Sequence, residues 1–107
     1  MTTFLFSYRM PLDYTPGRPG APEAWKAFFD SLGPDLVDPG NPVFESTGLG
    51  TSSDDATRLG GYSLVSADDL ESAVTMAKGC PALEAGGGVE VGLITEIFSD
   101  KRLAAGA

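Results

Sequence analysis

Apolar and polar positions along the chain follow two different periods. Phe4-Leu5-Phe6-Ser7-Tyr8-Arg9-Met10 is a short aromatic and apolar run that stops at Pro11, which predicts a first strand. Leu12 to Gly20 holds Pro16, Gly17, Pro19 and Gly20 and reads as a loop. Trp25, Phe28, Phe29 and Leu32 then fall at i, i+3, i+4 and i+7, one apolar face of a helix. Pro22 suits its first turn and Glu23 suits its positive end. The helix is expected over 22–32, interrupted by Gly33-Pro34 and resuming as a turn through Leu36, which stays in phase with Leu32.

Asp38-Pro39-Gly40 signals a turn. Positions 41–46, Asn41 to Ser46, read as a weak strand that Pro42 confines to an edge or a strand start. Thr47 to Asp55 is polar and Gly-rich, a loop, and Gly61-Tyr62-Ser63-Leu64-Val65 alternates as a better strand. A second helix is expected after Ser66, a good N-cap, with Asp69 in the capping-box place. Leu70, Ala73, Val74 and Ala77 form its apolar face, and Lys78-Gly79 followed by Cys80-Pro81 closes it. Ala82 to Gly88 is a connector, Val89 to Phe98 is the longest strand candidate, and 99–107 is a small, polar tail. One domain over 1–98 is expected.

The resulting order, βαββαβ, with short connections and right-handed crossovers, implies an α+β fold of ferredoxin-like arrangement. Four antiparallel strands would carry two helices on one face. Phe4, Phe6 and Tyr8 on the first strand and Tyr62 and Leu64 on the third are candidates for the other, bare face. Val89, Val91 and Leu93 are assigned to the helix-packed core, which turns Glu90 outward, within reach of a partner such as Arg9. An aromatic sheet face left in water is a large apolar patch, so a second copy of the chain is expected to cover it.

With these elements in place, the chain resembles the YCII-related family of dimeric α+β barrel proteins across residues 2–98. The resemblance rests on Trp25-Lys26-Ala27-Phe28-Phe29 followed by Leu36-Val37-Asp38-Pro39-Gly40-Asn41-Pro42. It rests also on Gly61 through Leu70, and on Ala77-Lys78-Gly79-Cys80-Pro81 with Gly87-Gly88-Val89-Glu90-Val91. It implies a dimeric barrel and leaves the reaction open. Enzyme-like members pair a His near the start of the first helix with an Asp. Here that stretch reads Ala21-Pro22-Glu23-Ala24-Trp25, and Asp38, the nearest counterpart of the Asp, has no His partner.

Charge and composition narrow the chemistry. The 107 residues carry 15 Asp and Glu against 7 Lys and Arg, a formal net charge of −8, which repels phosphate backbones and anionic membrane surfaces. No apolar run approaches the roughly 20 residues of a membrane span, and the start lacks the pattern of a secretory leader. The expected location is the cytoplasm. The sequence has no His, which removes His-based triads and His metal sites, and its single cysteine, Cys80, allows no intrachain disulfide.

Cys80 follows the negative end of the second helix, a position that disfavours the thiolate, and reads as a small turn residue. Asp54-Asp55 and Asp68-Asp69 lack the alternating ligands of a calcium loop, so no metal is expected. Gly48-Leu49-Gly50-Thr51-Ser52 lacks the Lys of a phosphate loop, so no nucleotide cofactor is expected either. Tyr8, Trp25, Asp38, Asn41, Tyr62 and Glu90 remain as candidates for a ligand pocket between the open sheet face and the first helix. Tyrosines there would offer flat apolar bodies with hydroxyls. The expected function is a homodimeric, small-molecule-binding or accessory protein. The alternative is an enzyme of lactone isomerase or lyase type that moves protons with Glu90, Asp38 or Tyr62.

Overall fold

A computed structural model describes residues 2–15, 17–52 and 56–97 of the chain. Its elements are β1 (Thr2–Pro11), α1 (Ala21–Leu32), a 3₁₀ turn (Gly33–Asp35), β2 (Leu36–Asp38), β3 (Thr57–Ala67), α2 (Leu70–Ala77), α3 (Pro81–Glu84) and β4 (Gly88–Leu93). The strands form one sheet in the order β2-β3-β1-β4, and every pairing is antiparallel. The fold is α+β, with the sheet open at both edges.

Strand alternation fixes what each face carries. Phe4, Phe6, Tyr8 and Met10 of β1 are buried, as are Gly61, Ser63, Val65 and Ala67 of β3. They meet Phe28 and Leu32 of α1, Ala73 and Ala77 of α2, and Cys80 and Ala82 around α3. Phe6 and Phe28 lie with ring centroids 6.5 Å apart and planes 23° from parallel. Fully burying such a side chain contributes about 1.5–3 kcal/mol. Val89 and Val91 of β4 pack on the same face. Leu93 shares their parity but, at the sheet edge, remains 57% exposed.

This corrects the expected orientation of β1. Phe4, Phe6 and Tyr8 face the helices. The opposite face holds Leu5, Ser7, Arg9, Tyr62, Leu64, Glu90 and Gly92, matched across the ladders as Leu5 with Leu64 and Gly92, and Ser7 with Tyr62 and Glu90. It is therefore mixed rather than aromatic. The alternation within β1 itself explains the outcome: the other parity carries Ser7 and Arg9, whose polar groups prefer water.

Three local expectations also change. The second strand is Leu36–Asp38, and residues 41–46 supply only an isolated bridge between Pro42 and Gly61. Pro42 has no N–H to extend a ladder. The N-cap of α2 is Asp69, not Ser66: its Oδ1 accepts from the Ser72 N–H at 2.8 Å, while Ser66 remains in β3. The connector after Cys80 contains the short helix α3, which Pro81 opens. Phe98, the tail 99–107 and Asp54-Asp55 lie outside the described residues. Among the described residues, no helix is long and apolar enough to cross a membrane.

Candidate functional site

The β1–β3 ladder is irregular where the site forms. Tyr8 pairs with Gly61 but Arg9 pairs with Leu59, so Gly60 is an extra residue in β3. Such bulges bend a strand and re-aim its neighbours. Any Cβ at position 60 would run into the Met10 side chain, and one at Gly61 would press on the backbone of Asn41 and Pro42. Gly60 thus leaves room for Met10 of β1, and Gly61 lets the segment after β2 lie close against β3. That segment is held by the Val43 N–H to the Gly60 carbonyl (3.0 Å) and by the Arg58 guanidinium to the Val43 carbonyl (3.2 Å).

Between this segment, the bulge and the first turns of α1 is a cavity of about 350 Å³. That volume falls at the lower end of the roughly 300–1,000 Å³ usual for small organic ligands. Tyr8 and Met10 of β1 and Trp25 and Phe29 of α1 form its inner wall. Tyr14, Pro39, Asn41, Pro42, Phe44 and Tyr62 form its sides and mouth. The α1 residues reach it because their period places Trp25 and Phe29 on the stripe that also buries Phe28. Trp25 meets Tyr8 edge to face, with centroids 4.8 Å apart, and Phe29 at 5.8 Å.

The inner wall is fixed by a buried hydrogen-bond chain. The Tyr8 hydroxyl donates to Ser63 Oγ (2.8 Å), and Ser63 donates to the Pro39 carbonyl (2.7 Å). Burial pushes the Tyr8 phenol well above its usual range, more than its bond with Ser63 lowers it. The group stays protonated and its proton is already committed. At the rim, the Asn41 amide donates to the Tyr62 hydroxyl at 3.4 Å.

Of the six residues singled out from the sequence, the cavity gathers Tyr8, Trp25, Asn41 and Tyr62. Asp38 lies outside its lining and accepts from the Gly40 N–H at 2.8 Å, closing the turn that aims Asn41. Glu90 lies on the opposite, open face, across from Ser7, and is exposed. Arg9, the partner suggested for it, instead bonds the Thr57 hydroxyl (3.1 Å) and carbonyl (2.9 Å). The inner wall of the cavity is on the helix side of the sheet, not between the open face and α1; Tyr62, of the other strand parity, borders it only at the mouth beside Asn41.

Sequence reasoning did not single out Met10, Tyr14, Phe29 or Phe44 for the wall. Phe29 was legible as part of the helix stripe, but nothing local distinguishes its cavity role from core packing.

Cys80 is buried, and that burial pushes its thiol up to about 11, against smaller opposing effects of the backbone N–H groups of Ala82 and Leu83. The cause is desolvation rather than the end of α2 alone. No group of three or more potential metal ligands occurs among the described residues. Comparison with protein-family models, curated proteins and solved structures finds no match to this chain.

Proposed function

We propose that the chain is a YCII-like, homodimeric protein that binds a small organic molecule, or serves as an accessory to a protein that uses one, without the His–Asp chemistry of enzyme-like members. The observation that carries the binding reading is the aromatic cavity beside the Gly60–Gly61 bulge, into whose wall no charged side chain enters among the described residues. A proton-transfer enzyme needs an acid or base within reach of its substrate. Asp38 is turned to Gly40 and Glu90 lies across the sheet, so the isomerase or lyase alternative retains only Tyr62 at the cavity.

The sheet order β2-β3-β1-β4 supports a ferredoxin-like arrangement, and the helix-free face, where Leu5, Leu64 and Tyr62 stand beside Ser7, Arg9 and Glu90, is the one a second copy would cover to complete a barrel. A single buried thiol suits the cytoplasm, where we place the protein.

A thermal-shift screen of small organic compounds tests the binding reading, because a ligand specific to the native state raises Tm. Hits should lose their shift in Tyr62→Ala and keep it in Glu90→Ala. No hit, or equal loss in both variants, would count against the cavity. Sedimentation tests the dimer separately, and a monomer at every concentration would remove that part.

A further inference from the structure

We infer that the cavity takes an uncharged, flat aromatic molecule of one or two fused rings, held by ring contacts and oriented by one polar group at Asn41. This rests on the binding reading above and narrows it to a class of ligand.

Three observations bear on the class. Trp25 is already packed against Tyr8 at 4.8 Å and against Phe29 at 5.8 Å, so the three present a preformed aromatic wall rather than rings that must collapse on a guest. Phe44 at the mouth is 65% exposed, leaving ring surface there for a guest to cover. Aromatic rings pack best with other rings, offset or edge-on, which favours a flat guest over a branched aliphatic one.

The second observation concerns charge. None of the described lining residues is Asp, Glu, Lys or Arg. An ionised guest would give up its water without a counter-charge, a cost that a neutral guest avoids. Tyr8 does not change this, because its hydroxyl proton goes to Ser63. Among the described residues, two cations border this wall without lining it: Arg58, whose guanidinium is bonded to the Val43 and Leu59 carbonyls, and Arg18, which belongs to an adjoining groove shared with Glu84. The Arg18 guanidinium lies over the Tyr14 ring at 5.7 Å.

The third is the placement of polarity. The Asn41 side chain is exposed, lines the cavity, and among the described residues is engaged at 3.4 Å with Tyr62. A carboxamide offers both a donor and an acceptor, so it can meet a carbonyl, amide or hydroxyl on a neutral guest.

Three compounds of one shape test the inference: 2-naphthamide, 2-naphthoate and 2-naphthylmethylammonium. Each is titrated into the full chain while the indole N–H of Trp25, the sole tryptophan, and the Asn41 side-chain amide are followed by NMR. 2-Naphthamide should move both signals and bind roughly tenfold or more tighter than either ion. Asn41→Ala should weaken 2-naphthamide severalfold, with the Trp25 shift still present at saturation. Equal or tighter binding of either ion at the same two signals would overturn the neutral class and leave the cavity standing. If none of the three moves the Trp25 signal at millimolar concentration, the cavity reading falls and this inference falls with it.

Discussion

Tyr8 and Ser63 are joined by a 2.8 Å hydrogen bond although they are not partners in the β1–β3 ladder. Ser63 stands opposite Phe6, and Tyr8 stands opposite Gly61, two residues away. The missing side chain at Gly61 opens the diagonal that the phenol crosses. Ser63 passes the bond on to the Pro39 carbonyl. Two central strands and the segment bordering the cavity are thereby tied through one buried hydroxyl.

The two ends of this chain should respond unequally to mutation. Tyr8→Phe removes a donor and leaves Ser63 bonded to Pro39, a loss of about 1 kcal/mol. Ser63→Ala strands a buried phenol as well as a carbonyl and should cost about 2–3 kcal/mol. In the double variant the two losses should add to less than their sum, since the stranded phenol is gone. Urea midpoints measure this. A Ser63→Ala variant as stable as Tyr8→Phe would mean that water or another group satisfies the phenol.

The fold was legible where one period ran without competition. The stripe Trp25, Phe28, Phe29 and Leu32 placed α1 to within a residue, and Val89, Val91 and Glu90 were assigned to the correct faces of β4. The aromatics of β1 do not by themselves tell its orientation; Ser7 and Arg9 on the other parity do, because that side faces water. The cap of α2 failed because Ser66 and Asp69 both have capping side chains, and only the length of β3 decides which one starts the helix. The second strand was misplaced because three residues suffice for it, too few to display a period. Tyr8, Trp25, Asn41 and Tyr62 were recognisable as polar-tipped or aromatic candidates. Their meeting depends on the Gly60 bulge, a tertiary feature that a list of residue types does not contain.

Gly40 makes the turn beneath Asn41 possible. Its φ is +70°, and a Cβ there would collide with the Tyr62 carbonyl oxygen. Gly40→Ala therefore combines backbone strain of about 1–3 kcal/mol with a displacement of β3 or of the turn. Gly50 has φ +62° but open space around it, so Gly50→Ala carries the strain alone. Gly40→Ala should be the less stable variant in denaturant, and its Asn41 and Tyr62 NMR signals should shift while those of Gly50→Ala stay in place. Equal stability of the two would show that the turn can move away from Tyr62 at no cost.

The buried thiol of Cys80 sets an alkaline limit on stability. Its ordinary value is near 9, and burial raises it to about 11 in the folded chain. Below pH 9 the thiol is protonated whether the chain is folded or not, so its contribution is fully present. Between about 9 and 11 the unfolded chain gives up the proton more readily than the folded one, and stability falls as pH rises. Tyr8, also raised by burial, extends the decline at higher pH, from its ordinary value of 10 upward. Cys80→Ala removes the first part alone. The difference in urea midpoint between the wild-type chain and Cys80→Ala should therefore be constant from pH 7 to 8.5. It should then shift steadily against the wild type from pH 9 to 11. A difference that holds flat across that range would mean the thiol reaches solvent, and folded protein would then react with a thiol-specific reagent as fast as the denatured chain does.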